Sequence, residues 1–110
     1  MNKYRSHTCN ELRKADVGKK VFLSGWINKK RDHGNLLFID LRDNFGLTQC
    51  VIEKSNSYFK NLEKLQLETV IKILGNVIER TKETINKDLK TGEIEVKIDS
   101  FEILGLCKEL

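Results

Sequence analysis

From position 21 to 28, Val21, Leu23, Gly25 and Ile27 alternate with Phe22, Ser24, Trp26 and Asn28. This is the period of two with which a strand sends one set of side chains into a core. The same period returns over 36–42 and again over 47–53. Between these two runs lies Asp43-Asn44-Phe45-Gly46, with turn-forming Asp and Asn and a Gly suited to a positive φ. Two strands and this turn predict a hairpin. Residues 69–79 are rich in β-branched side chains (Val70, Ile71, Ile73, Val77, Ile78) and are interrupted by Gly75, where a small barrel commonly bends. Over 93–104, Ile94, Val96 and Ile98 alternate with Glu93, Glu95, Lys97 and Asp99 and predict a last strand.

Two stretches carry helical signals instead. Tyr58, Phe59, Leu62 and Leu65 share one face at i, i+3, i+4 and i+7 spacing, so a helix capped by Asn56 or Ser57 and ending near Leu67 is expected to pack on the core. Thr8-Cys9-Asn10-Glu11 has the form of a capping box, which predicts a short helix through Lys14. Residues 80–92 are polar and read as a long loop with room for one helical turn. The order is a short helix, three strands, a helix and two strands. The predicted fold is therefore all-β with a connecting helix: a five-stranded Greek-key barrel of the OB type, a fold that binds single-stranded oligonucleotides. An unrelated small α+β domain is the alternative.

Length and composition narrow this picture. The 110 residues leave room for one domain, and 39% hydrophobic with 33% charged residues is an ordinary globular balance. No apolar run is long enough to span a membrane, and the polar, basic start lacks the apolar stretch of a signal peptide, so a cytoplasmic protein is expected. Cys9, Cys50 and Cys107 form no Cys-x-x-Cys, which argues against a disulfide framework or a zinc site. Charge changes the picture more. Residues 1–33 hold nine Lys/Arg against three acids, whereas the remainder holds eleven against thirteen. A polyanion docking on one part of the surface is implied, against the plainer reading of a solvated basic surface.

The hairpin places the candidate chemistry. With a turn at 43–46, Arg42 faces Leu47, Asp40 faces Gln49 and Phe38 faces Val51, while Leu37, Ile39, Leu41, Thr48, Cys50 and Ile52 point to the core. Phe38 then stands outward within reach of Gln49. A ring beside an amide is suited to reading a base: the ring stacks on it and the amide bonds its Watson–Crick edge. The competing role for Phe38 is packing under the long loop or a neighbouring domain. Lys29-Lys30-Arg31, at the end of the first strand, can neutralise phosphates, and Arg31 can also read a base edge. His33 has no His or Cys at metal spacing, so a polar loop contact is expected of it, and Glu95 faces outward where it can accept from a base. Trp26 is expected to pack under the N-terminal helix, and Cys50 to fill the core. No catalytic or metal-binding motif is present, so the chain alone is expected to catalyse nothing.

Ser24-Gly25-Trp26, Arg31-Asp32-His33-Gly34, the run 37–43, Gly46-x-x-Gln49 and the run 91–96, with His7-Thr8-Cys9 and Glu11-Leu12-Arg13, together resemble the N-terminal anticodon-binding domain of bacterial aspartyl-tRNA synthetase. The resemblance covers about residues 4–103. It implies that Phe38 stacks on the central anticodon uracil, that Gln49 bonds that base, and that Arg31 contacts anticodon bases. It implies further that Glu95 helps recognise the first anticodon base, and that Lys29, Lys30 and Arg80 lie near the RNA backbone. His33 is similar to the non-discriminating type, which also charges tRNA-Asn. In such enzymes aspartate is activated with ATP and Mg²⁺ by a class II catalytic domain, in a homodimer, for tRNA-Asp. The first motif of that domain ends in a proline and this chain has none, so residues 1–110 are expected to be the binding module alone, without cofactor of its own. A free-standing single-strand-binding OB protein and a protein-binding scaffold are the alternatives.

Overall fold

A computed structural model of the chain describes residues 4–105. Five strands, β1 (Lys20–Asp32), β2 (Leu36–Arg42), β3 (Leu47–Glu53), β4 (Val70–Glu79) and β5 (Ile94–Gly105), close into a barrel in the order β1-β2-β3-β5-β4. One helix, α1 (Phe59–Glu63), connects β3 to β4. Neighbouring strands run antiparallel except at the closing seam, where Cys50 and Val51 of β3 pair in parallel with Val96 and Lys97 of β5. The expected OB barrel is therefore present, with its helix between the third and fourth strands. Among the described residues no helix is long and apolar enough to cross a membrane.

The period of two carries through to burial in β1, β2 and β4, whereas residues 48–52 of β3 are buried on both faces. Val21, Leu23, Ile27, Leu37, Ile39, Leu41, Cys50, Ile52, Ile71, Ile73, Val77, Ile94, Val96 and Ile98 form one core cluster. Phe59 and Leu62 of α1 and Cys9 and Leu12 of the N-terminal segment pack into that same cluster. Burial pushes the Cys9 and Cys50 thiols well above their ordinary range, so both act as small apolar fillers. Cys107 lies outside the described residues.

The helical expectations were longer than the helices. No α-helix forms over 8–14; a turn is followed by a single 3₁₀ turn at Lys14–Asp16. Half of the capping box is present, the Thr8 N–H donating to Glu11 Oε1 at 2.8 Å. The physical reason is that the barrel claims the Cys9 backbone. Its carbonyl, which would accept from the Arg13 N–H in a helix, accepts instead from Thr48 Oγ1 at 2.8 Å, while the Arg13 N–H donates to Asp16 Oδ2 at 2.8 Å; the Cys9 N–H donates to Asp43 Oδ2 at 2.8 Å. Trp26 accordingly has no terminal helix to pack under and sits half-buried on the outer face of β1, paired with Arg42 and Val70. The helix α1 is five residues long and buries Phe59 and Leu62, while Leu65 packs on the core from beyond its end. Neither Asn56 nor Ser57 caps the helix: the N-cap position is Tyr58, without a side-chain cap bond, and Asn56 closes the preceding turn, accepting from the Tyr58 N–H at 2.8 Å while its amide donates to the Ile98 and Asp99 carbonyls of β5.

Two glycines mark close approaches. Gly46 does not take a positive φ; a Cβ there would lie 2.8 Å from the Asn10 Cβ, so the N-terminal segment excludes a side chain. At Gly75 the β4–β5 register shifts, and a Cβ would lie 2.3 Å from the Lys97 carbonyl oxygen. The bend expected there comes with a backbone contact that no side chain fits. Gly75→Ala should therefore destabilise the barrel by about 1–3 kcal/mol, read as a lower urea midpoint at unchanged slope.

Candidate nucleic-acid interface

The β2–β3 register is the one the turn predicted: Phe38 pairs with Val51, Asp40 with Gln49 and Arg42 with Leu47. Phe38, Asp40 and Gln49 thus share the outer face. Whether the basic run joins them depends on a bulge in β1. Ile27 pairs with Leu41, but the next paired residue is Lys29, opposite Asp40. Skipping one residue reverses the parity of the strand. Lys29 and Arg31 come to the outer face beside Asp40 and Phe38, and Lys30 falls into line with Ile39.

Lys30 is consequently turned away from this face. Its ammonium donates to the Glu63 and Leu65 carbonyls at 2.6 and 2.5 Å, where it caps the end of α1, and burial lowers its pKa. Lys29 stays exposed. Arg31 grips Asp40 through two parallel bonds, Nη1 to Oδ2 at 2.9 Å and Nη2 to Oδ1 at 3.0 Å, and Nη2 also donates to Gln49 Oε1 at 2.8 Å. The Asp40 bonds raise the Arg31 pKa further above its already high value. Gln49, 8% exposed, donates in turn from Nε2 to Glu95 Oε1 at 2.7 Å. A guanidinium only donates and a carboxylate only accepts, so these two neighbours admit one orientation of the Gln49 amide. One lone pair on Oε1 and one hydrogen on Nε2 remain for a ligand.

Phe38 is half-buried and meets His33 edge to face, with ring centroids 5.1 Å apart. Arg31, His33, Phe38, Gln49 and Thr84 line one cavity of about 210 Å³. The structure therefore brings four of the sequence-derived candidates into one cavity, with Glu95 bonded to the amide. Arg80 does not line the cavity. Its side chain is buried, with Nε donating to the Ile94 carbonyl at 2.9 Å and Nη1 to the Thr84 carbonyl at 3.0 Å, and burial lowers its pKa. Arg80 is thus buried, and the half-buried Lys30 ammonium is engaged by two backbone carbonyls. A larger groove of about 290 Å³ against β1, β4 and β5 is lined by Phe22, Tyr58, Lys72 and Phe101. Lys72 there lies over the Phe22 ring and beside Glu102.

Two residues of the site went unread in the sequence. Asp40 was placed on the face by register, but its grip on Arg31 depends on the bulge. Thr84 belongs to a loop without periodicity, held near the cavity by bonds that no local pattern announces.

The family described as an OB-fold nucleic acid binding domain matches residues 21–104, and the chain belongs to that family. Within it, the chain is 74% identical over all 110 residues to the aspartate–tRNA(Asp/Asn) ligase of Pelagibacter ubique, and 49% identical over the same span to that of Zymomonas mobilis. It spans 18% of the length of each. Among solved structures, the asparaginyl-tRNA synthetase of Pyrococcus horikoshii bound to asparaginyl-adenylate superposes with a TM-score of 0.77 at 26% identity, over 94% of this chain and 23% of that one.

The bidentate pair is partly exposed, with Arg31 and Asp40 side chains at 33% and 14%. Its loss should fall between a surface and a buried pair. Asp40→Asn is expected to lower the unfolding free energy by about 1 kcal/mol in a denaturant titration, and to release Arg31 from Gln49 in a side-chain NMR experiment.

Proposed function

We propose that this chain is the anticodon-binding part of an aspartate–tRNA ligase, taking the anticodon loop of tRNA-Asp, and of tRNA-Asn as well, on the face formed by β1, β2, β3 and β5. The observation that carries the reading is the Gln49 amide, fixed in one orientation between Arg31 and Glu95 beside the half-buried Phe38 ring. The names of the relatives at 74% and 49% identity support the same choice of RNA.

The chemistry follows from what each group has left to offer. An unpaired base stacks on Phe38, a contact worth about 1–3 kcal/mol that every base can make. Selection falls to Gln49. Its remaining lone pair accepts from N3–H of uracil while its remaining amide hydrogen donates to a uracil carbonyl. Cytosine presents an acceptor at N3 instead, which meets the wrong end of an amide that cannot turn. Arg31 and Glu95 do this work indirectly by holding the amide, and Lys29 supplies an exposed charge for the backbone. His33, edge-on to Phe38, is placed beside the stacked base and so near a neighbouring one.

In the longer relatives, on this reading, activation of aspartate with ATP and Mg²⁺ belongs to the part beyond this chain, in a homodimeric cytoplasmic enzyme. Among the described residues there is no group of three or more His, Cys, Asp or Glu side chains that would hold a metal ion. The binding module supplies affinity and identity, and the remainder the reaction.

Phe38→Ala should weaken binding of a tRNA-Asp anticodon stem-loop by about 1–3 kcal/mol without unfolding the domain. Affinity that is unchanged, or equal for any pyrimidine-rich strand, would favour a general single-strand-binding protein. Acceptance of both tRNAs is checked by comparing the two stem-loops, whose anticodons differ only at the third base. Comparable affinities are expected for the wild type, with His33→Leu shifting the preference toward the aspartate loop. A strong aspartate preference that His33→Leu leaves unchanged would sink the broader specificity.

A further inference from the structure

The loop between β4 and β5 is fastened at both feet. At one foot Arg80 bonds the Ile94 carbonyl through Nε and the Thr84 carbonyl through Nη1, and its backbone N–H donates to the Glu93 carbonyl at 3.0 Å. At the other, Thr91 is 1% exposed and its hydroxyl donates to the Leu47 carbonyl at 2.6 Å. Between them the Lys82–Thr84 3₁₀ turn is closed by the Thr84 N–H and hydroxyl, both donating to the Thr81 carbonyl. The far half folds back on itself, the Asn86 N–H donating to the Gly92 carbonyl and the Gly92 N–H to the Leu89 carbonyl. Thr84, exposed to solvent, lines the cavity with Phe38 and Gln49.

We propose that Arg80 is a positioning residue: it holds the Lys82–Thr84 turn in place so that Thr84 forms a preset wall of the base cavity, and it makes no phosphate contact of its own. The proposal rests on the reading of that cavity as the base site.

Three observations carry it. Arg80 is 7% exposed, too deep for its guanidinium to meet a phosphate at the surface. Its fork spans two acceptors on different segments, β5 and the turn, which a single point charge cannot hold in the same geometry. Its third nitrogen, Nη2, is buried without a hydrogen-bond partner, out of reach of a surface phosphate, and the charge is attracted by Glu95 and Asp40 and repelled by Arg31. A flexible loop would have to be ordered as RNA binds, at a cost in affinity, and a turn fixed beforehand avoids that cost.

The experiment measures stem-loop affinity against salt concentration for the wild type, Arg80→Lys, Arg80→Gln, Thr84→Gly, the Arg80→Lys/Thr84→Gly double variant and Phe38→Ala, with thermal melts to check folding. Arg80→Lys keeps the charge and loses the fork, and is expected to weaken binding by about threefold to tenfold with the salt slope unchanged. Thr84→Gly leaves the buried guanidinium in place and should give a comparable loss. The double variant should lose little more than the larger single, since both changes act through one wall. A phosphate contact behaves otherwise: Arg80→Lys would keep its affinity, and Arg80→Gln would lower the slope by about 0.7, as for one contact on single-stranded RNA. Either result overturns the proposal, and so do fully additive losses. Should Arg80→Lys fail to fold, an unchanged affinity for Thr84→Gly is by itself enough to reject the wall. Loss in Phe38→Ala without loss in Arg80→Lys refutes the positioning role alone, whereas no loss in Phe38→Ala refutes the base site and the wall together.

Discussion

The outer face depends on the register of one hairpin, and the register depends on the Asp43 carboxylate. Its Oδ1 accepts from the backbone N–H of Phe45 and of Gly46, and the Asp43 N–H returns a bond to the Gly46 carbonyl, which fixes the turn. Its Oδ2 accepts from the Cys9 N–H and ties the turn to the N-terminal segment. A slip of one residue would carry Phe38 and Gln49 into the core and expose Ile39 and Cys50. The apolar set resists that slip from inside, and the turn resists it at the end. The same carboxylate also draws Cys9 into the barrel, so the feature that sets the register also holds the N-terminal segment against it.

On that face, polar groups are organised before any ligand arrives. Arg31, Asp40, Gln49 and Glu95 form a chain in which each hydrogen bond fixes the next side chain. Such a chain in a partly buried setting is stiffer than its separate contacts imply, because turning the Gln49 amide would set hydrogen against guanidinium and oxygen against carboxylate. Specificity of this kind is inexpensive for a small barrel. The core need only place two strands correctly, and the side chains above it complete the site.

The division of labour among neighbouring basic residues is equally a matter of position. Lys29, Lys30 and Arg31 are consecutive and chemically similar, yet one is solvated, one caps a helix and one orients an amide. Arg80, far along the chain, is buried and bonds two backbone carbonyls, with Glu95 and Asp40 near enough to attract its charge. The excess of positive charge in the first third of the sequence therefore overstates the charge available to a polyanion, since part of it is spent inside the fold.

Strand periodicity, the Asp43 turn and the Gly75 break were legible in the sequence, because each is a local preference that the barrel's core reinforces. From them came the five strands, the hairpin register and the pairing of Phe38 with Gln49. Helix lengths were not legible: a capping box and an amphipathic stripe state a preference, and the barrel decided how much of each to use. Nor was the orientation of Arg31. Simple alternation from Ile27 sends Arg31 inward, and only the bulge opposite Asp40, set by closing five strands around a fixed core, turns it outward. Thr84 and Arg80 belong with Arg31, since loop residues are placed by distant carbonyls such as that of Ile94. The sequence determined which residues face each other across adjacent strands, because that depends on period and turn. Tertiary structure decided which charges meet, because hydrogen bonds between distant segments form only once the barrel has closed.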